Sequence, residues 1–273
     1  MDQPKGSMQG DYIYKNTPQR DLMLTFLPPR VKKYEKAPVY FLIPGGGWHT
    51  EERQSMIDFS EISVEEMRKQ GFAVVSIDYR VYPEGVVMRE IVTDCFDAAR
   101  YVAHYSDVLE IDPKRFCVSG HSAGAHLALM LSYAKPFPSD YAFSDAFCVK
   151  AVAAMSAPTV LADNRTNNLR DLREAFRGCD TKEERDRMSP ISYVTPNCPP
   201  TLLCAGTSDY LVFATSSEML YKKLQEHHIP SELKLSVGGF HSFEQIHDTV
   251  IPSIGMEEMQ EAIIRFLLTY GVR

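Results

Sequence analysis

Residues 115–131 read RFCVSGHSAGAHLALML. A short apolar run, Phe116 to Val118, leads into Gly-His-Ser-Ala-Gly, and an apolar segment of helical character follows at once. A strand that enters a helix through Gly-x-Ser-x-Gly must turn sharply, and the turn holds its serine in a strained backbone conformation. Glycines at 120 and 124 remove the Cβ atoms that would collide with the neighbouring strand and helix. Ser122 then stands above the sheet edge at a helix N-terminus, where free N–H groups and the helix dipole favour an anion. A five-residue pattern could also be a serine that merely caps a helix. Its place between a predicted strand and a predicted helix points to a nucleophile.

Outward from this turn the chain alternates. Upstream, LMLTFLPP (22–29), VYFLIPGGG (39–47) and FAVVSIDYR (72–80) read as strands, the second so uniformly apolar that it belongs at the sheet centre. FSEISVEEMRKQGF (59–72) reads as a charged helix closed by Gly71, and Met88 to about Tyr105 carries Ile91, Cys95, Ala98 and Val102 at helical spacing. Downstream, VKAVAAMSA (149–157), TLLCAG (201–206) and SELKLSV (231–237) read as strands. SSEMLYKKLQEHH (216–228) and MEEMQEAIIRFLLTYG (256–271) read as helices. Strand–helix alternation over the whole length predicts a mostly parallel sheet with helices on both faces, a single α/β domain over residues 1–273. Residues 156–200 break the rhythm. This polar, charge-rich stretch is too long for an ordinary connection and reads as a lid or substrate-binding insertion, with helical turns near 169–176 and 182–188.

Bulk properties narrow the classes. The 273 residues suffice for a large core without disulfide or metal staples, and a net charge of -7 argues against a nucleic-acid binder. No apolar run approaches the length that spans a bilayer, and the first twenty residues carry no secretory pattern. Six cysteines scattered without C-x-x-C spacing fit reduced thiols in a cytoplasmic protein. No histidine–carboxylate spacing suits a metal, so neither a metal nor a cofactor is expected. Asn164 heads an Asn-Arg-Thr glycosylation pattern that nothing else in the chain supports.

A serine hydroxyl is a weak nucleophile and needs a base, itself oriented by an acid. In this architecture the chain order is Ser, acid, His. Gly206 ends one predicted strand and Asp209 lies in the loop after it. Gly238 and Gly239 end the next, and His241 lies in its loop. Both therefore fall at C-terminal strand ends, on the edge that carries Ser122 and where sites of open parallel sheets form. Gly45, Gly46 and Gly47 follow the central strand, where successive N–H groups could approach a substrate oxygen together with that of Ala123. Three glycines could equally form only a tight turn; it is the co-occurrence of glycine run, elbow, acid and base in order that favours a Ser-His-Asp hydrolase. Trp48 and His49 adjoin the glycines and His121 the nucleophile, so these three are candidate substrate contacts. His126 is expected to pack against the sheet, and His104, His227, His228 and His247 to be structural.

The motifs PVYFLIPGGGW, GFAVVSIDYRVYPE, IDPKRFCVSGHSAGAHLAL, SPISYVTPNCPPTLLCAGTSDYLV and GGFHSF, in this order, resemble the esterase/lipase branch of the α/β-hydrolase superfamily. That group includes carbohydrate acetyl esterases, feruloyl-type esterases, hormone-sensitive-lipase-like esterases and arylformamidases. The resemblance implies Ser122 as nucleophile, His241 as base, Asp209 as its partner, and Gly46, Gly47 and Ala123 as oxyanion donors. Two positions depart from the family pattern: Pro44 stands where a histidine is usual, and His121 where many relatives carry an acid. The expected partner is a small-molecule ester, with no nucleic acid or membrane, and a homodimer is what the resemblance offers for assembly. The expected activity is hydrolysis of short-acyl esters, acetylated carbohydrates among them. An arylformamidase or amidase would use the same machinery, and a non-catalytic binding protein on this fold is the reading from another class.

Overall fold

In the computed structural model, residues 3–4, 6, 8–140, 143–163, 166, 179–246 and 248–272 are described. The strands are β1 (Gly10–Asn16), β2 (Asp21–Leu27), β3 (Ala37–Ile43), β4 (Ala73–Ile77), β5 (Ile111–His121), β6 (Val149–Met155), β7 (Thr201–Gly206) and β8 (Ser231–Ser236). The helices are α1 (Arg53–Phe59), α2 (Glu61–Lys69), α3 (Met88–His104), α4 (Ala123–Tyr133), α5 (Lys182–Arg187), α6 (Ala214–Glu226) and α7 (Met256–Gly271).

One sheet collects the strands in the order β1-β2-β4-β3-β5-β6-β7-β8. The pairs β1–β2 and β2–β4 are antiparallel, and every pairing from β4 to β8 is parallel. The mostly parallel, doubly covered sheet expected from the sequence is therefore the fold. β3, apolar throughout and wholly buried, lies near the middle as its composition requires.

Side-chain alternation divides β3 between two cores. Val39, Phe41 and Ile43 pack with Ile91 and Val102 of α3, Leu127 of α4 and Leu220 of α6. Tyr40 and Leu42 pack with Met56 of α1, Met67 of α2 and Ile263 of α7 on the other face. Burying a large apolar side chain contributes roughly 1.5–3 kcal/mol, so a strand inside two layers is held from both.

The sequence reading did not assign β1. Tyr12 and Tyr14 of that strand are buried while Asp11 and Asn16 are exposed, the alternation of a half-covered edge strand in a short polar stretch. A seven-residue α1 also precedes the predicted helix, separated from it at Ser60. Of the turns expected within 156–200, those at 182–188 are α5, whose Thr181–Glu184 capping box closes its first turn. The expected turns at 169–176, Asn164 and His247 lie outside the described residues.

All six cysteines are free thiols. Among the described residues no helix is long and apolar enough to cross a membrane, and no cluster of three or more His, Cys, Asp or Glu is placed to hold a metal.

Candidate active site

Parallel register delivers the site. Ile43 pairs with Gly120, His121 with Met155, and Met155 with Cys204, so the loops after β3, β5, β6, β7 and β8 emerge on one edge. Ser122 sits between β5 and α4 at φ 56° and ψ -121°, the strained conformation its glycine-flanked motif predicts. Its N–H donates to the Met155 carbonyl at 2.8 Å, which ties the turn to β6. A Cβ on Gly124 would collide with the carbonyl oxygens of Ile43 and Pro44, and one on Gly120 with Gly124 itself. Without those glycines α4 could not start so close to the end of β3.

Asp209, in the loop after β7, is buried. One carboxylate oxygen accepts the N–H groups of Leu211 (2.8 Å) and Val212 (3.0 Å). The other accepts Nδ1–H of His241 at 2.7 Å. That bond assigns the proton of a neutral His241 ring to Nδ1 and leaves Nε2 as the acceptor. The His241 main chain is also pinned: its carbonyl accepts the Ser156 hydroxyl at 2.6 Å and His121 Nε2–H at 3.1 Å. Acid and base are thus joined, and both share the edge that carries Ser122. Among the described residues no hydrogen bond joins the Ser122 hydroxyl to the His241 ring. Such bonds commonly tighten only around the reacting group.

The loop after β3 is a tight turn, with His49 and Thr50 N–H both donating to the Gly46 carbonyl. Gly46 has φ 118°, and a Cβ there would strike the Thr50 carbonyl, so glycine is required. A Cβ on Gly45 would stand 2.8 Å from the His121 carbonyl and 3.5 Å from Ser122 Cβ, so this loop lies against the elbow. Among the described residues the N–H groups of Gly45, Gly46, Gly47 and Ala123 donate to no protein acceptor. Ala123 opens α4, where unpaired N–H groups are the rule, and the three glycine N–H groups without a protein acceptor lie in the turn beside it.

A cleft of about 370 Å³ adjoins this turn, lined by Gly45, Gly46, Thr50, Glu51, Ser55 and Phe59 together with His121 and others. His121 packs against the Phe59 ring at 4.7 Å in a tilted arrangement and meets the His241 ring at 4.9 Å. Burial, then the proximity of His241, lowers its pKa to about 4, so it is neutral at ordinary pH. Burial, then the Asp78 carboxylate, pushes the Glu51 pKa up against the pull of Arg20.

The three candidate substrate contacts fare differently. His121 lines the cleft and His49 is exposed on the loop surface. Trp48 is not brought to the cleft: it is 1% exposed and packs edge-on against His126. Its φ of 57° turns the side chain inward, a reversal that adjacency to glycines does not reveal. His126 is buried as expected, its Nε2–H donating to the Met188 carbonyl at 2.7 Å. Sequence reasoning missed Ser156, Tyr79 and Glu51. The one available signal for Ser156 was its place at the C-terminal end of a predicted strand, on the edge where the other site residues lie.

A family model described as BD-FAE matches residues 24–224. The chain belongs to the BD-FAE family. The match includes the glycine turn, Ser122 and Asp209, and this BD-FAE chain lies within the esterase branch of the α/β-hydrolases. It is similar to a probable isoprenylcysteine alpha-carbonyl methylesterase of Oryza sativa subsp. japonica, 25% identical over 84% of this chain and 57% of that protein. Its Arabidopsis thaliana counterpart is 24% identical over 84% of this chain and 55% of its own length. The chain thus spans little more than half the length of these curated relatives. Among solved structures, the propionate-bound esterase Est2 of Thermogutta terrifontis superposes with a TM-score of 0.79 at 22% identity, covering 97% of this chain and 94% of that one. The same esterase phosphonylated by sarin gives 0.80 at 21% identity, covering 97% and 96%. At such identity the likeness establishes the fold.

Proposed function

We propose that this BD-FAE chain is a serine carboxylesterase that hydrolyses small, short-acyl esters through an acyl-enzyme. The observation that carries the reading is the 2.7 Å Asp209–His241 bond, made on the edge where Ser122 heads α4 opposite unpaired glycine N–H groups. Ser122 Oγ attacks the ester carbonyl carbon while His241 Nε2 takes the hydroxyl proton. Negative charge gathers on the former carbonyl oxygen and is met by N–H groups of the glycine turn and of Ala123. Losing one such donor typically costs roughly 3–4 kcal/mol of barrier. As the tetrahedral intermediate collapses, His241 gives its proton to the departing alcohol. Water then attacks the acyl-enzyme by the same steps and releases the acid.

Asp209 keeps the base in the accepting tautomer and stabilises the imidazolium that forms. The cleft beside the turn supports a small polar ester group: it offers Thr50 and Ser55 hydroxyls, two glutamates and the Phe59 ring. Among such esters, acetylated carbohydrates fit that mixture of hydroxyl-pairing groups and an aromatic face. The plant relatives are named for cleaving a methyl ester, which agrees with a small leaving alcohol. Six free thiols, four of them buried, support action in a reducing compartment such as the cytoplasm.

The test compares the wild type with Ser122→Ala on p-nitrophenyl esters from two to twelve carbons, peracetylated sugars and N-formyl aromatic amides. Turnover of acetyl esters should fall to background in Ser122→Ala while its circular dichroism stays unchanged. Retained turnover in that variant refutes the assignment, and a preference for the formyl amides replaces the esterase by a formamidase.

A further inference from the structure

The glycine turn needs its peptides held in one orientation, and position 44 carries a proline, which has no polar side chain to hold them. The register of β3 and β4 shows what does. Leu42 pairs with Ser76, so continuing both chains by three residues brings Tyr79 alongside Gly45. Tyr79 is fully buried, and its hydroxyl donates to the Pro44 carbonyl at 2.8 Å and lies 3.2 Å from the Gly45 carbonyl. Its own backbone is fixed in turn. The Tyr79 carbonyl accepts Arg20 Nη2–H at 2.7 Å, and the preceding Asp78 carbonyl accepts the Tyr14 hydroxyl at 2.7 Å.

Building on the esterase reading, we infer that Tyr79 is the positioning residue of the oxyanion-binding turn. Its hydroxyl holds the Pro44 and Gly45 carbonyls on the buried side and thereby turns the Gly45 and Gly46 N–H groups toward the open side, where Ser122 lies. The link is elementary geometry. In a planar trans peptide the C=O and N–H vectors point in opposite directions. The Pro44 carbonyl shares its peptide with the Gly45 N–H, and the Gly45 carbonyl shares its peptide with the Gly46 N–H. Two carbonyls gathered on one buried hydroxyl therefore send two consecutive N–H groups the other way, and neither finds a protein acceptor among the described residues.

The far end of the turn is held by the same Arg20, which donates to Glu51 at 2.6 Å, and by Tyr82 N–H donating to the Trp48 carbonyl at 3.0 Å. Burial, and to a lesser degree the neighbouring Glu51, keeps the Tyr79 proton in place throughout any working pH range, so the donor is permanent. A tyrosine serving only the core would need one acceptor. Here the acceptors are the two carbonyls whose peptides carry the N–H groups facing the nucleophile.

Tyr79→Phe keeps the ring and removes the donor. On p-nitrophenyl acetate its kcat should fall about 10- to 100-fold, as displacements near 1 Å at a reacting centre do, with KM changed less than about twofold. Affinity for a trifluoromethyl ketone, which adds to the serine as an oxyanionic hemiketal, should weaken by the same factor. A kcat and ketone affinity within twofold of wild type would overturn the inference. A wild type that neither turns over the ester nor binds the ketone would instead sink the esterase reading beneath it. If Tyr79→Phe does not fold, the wild type labelled with 15N-glycine remains informative. The Gly46 amide proton should move downfield when the ketone binds, and an unmoved resonance would overturn the proposed orientation.

Discussion

Replacing Asp209 by asparagine removes one charge and adds two protons at a place where the structure dictates how they must point. One oxygen of Asp209 accepts the N–H groups of Leu211 and Val212, and the other accepts His241 Nδ1–H. An asparagine that turned its NH₂ toward Leu211 and Val212 would set donor against donor and leave the buried Val212 N–H unsatisfied, at about 1–3 kcal/mol, along with the half-buried Leu211 N–H. Its oxygen therefore stays on those amides, and its NH₂ faces His241 Nδ1. The ring must then accept at Nδ1 and carry its proton on Nε2, where Ser122 needs a free lone pair. The imidazolium of the transition state also loses its counter-charge. Together these should lower kcat by about 10³- to 10⁴-fold, or about 4–5.5 kcal/mol of barrier, with KM nearly unchanged. Michaelis curves on p-nitrophenyl acetate at pH 7.5, alongside thermal unfolding to establish that the variant is folded, measure this directly. A loss smaller than tenfold would mean that Asp209 does not set the tautomer of the base.

Three further outcomes follow from other contacts. Ser156→Ala removes the shorter of the two bonds to the His241 carbonyl, so kcat should fall about 5- to 10-fold, the worth of about 1–1.5 kcal/mol, while Tm shifts little. Buried His126 has its pKa lowered to about 4 by burial, against an ordinary 6.5. The unfolded chain therefore takes up a proton below pH 6.5 that the folded chain refuses until about pH 4. Stability from this residue is whole above pH 6.5 and lost as pH falls toward 4. Urea unfolding at pH 7.5 and pH 5 should show about 2 kcal/mol lost to it, and His126→Gln should flatten that slope by the same amount. Gly124→Ala drives a methyl group into the Ile43 and Pro44 carbonyls, neither of which can rotate away, and should destabilise by about 3 kcal/mol or more in thermal unfolding.

What was legible in the sequence is what short-range chemistry specifies. An all-apolar β3 between turn residues points to a central strand, and Gly-His-Ser-Ala-Gly between apolar runs points to a tight turn into a helix. Asp209 and His241 were legible because each follows a strand that ends in glycine, so their common edge follows from parallel topology. Ser156 and Tyr79 were not. Each is an ordinary polar residue beside a strand end, and its role exists only because the fold brings it to a carbonyl 85 or 34–35 positions away in sequence. Trp48 illustrates a different limit. Its position beside the glycine turn was visible, but the direction of its side chain is set by a positive φ that no residue type announces. β1 escaped because the short run Tyr12-Ile13-Tyr14 between polar residues is a weak signal until β2 supplies an antiparallel neighbour.

His121 stands where the family resemblance implies an acid, and its surroundings say what the exchange does. Its ring lies 4.9 Å from that of His241 and donates to the His241 carbonyl, so a charged His121 would oppose the imidazolium on which proton transfer depends. Burial prevents this by keeping His121 neutral down to about pH 4. Asp209, bonded to His241 Nδ1, is then the carboxylate that balances the imidazolium charge in the proposed reaction, with His121 a neutral neighbour. A carboxylate at this place would add a second negative charge beside the base and favour its protonated form. His121→Asp should therefore move the acid limb of the kcat/KM profile upward by roughly 1 pH unit, a size set by Coulomb attraction across about 5 Å with an effective dielectric well above that of a dry interior. Profiles for p-nitrophenyl acetate between pH 4.5 and 9 read the shift. A limb that stays in place, in a variant that still turns over, would show that position 121 is electrically remote from the base despite the contact between their rings.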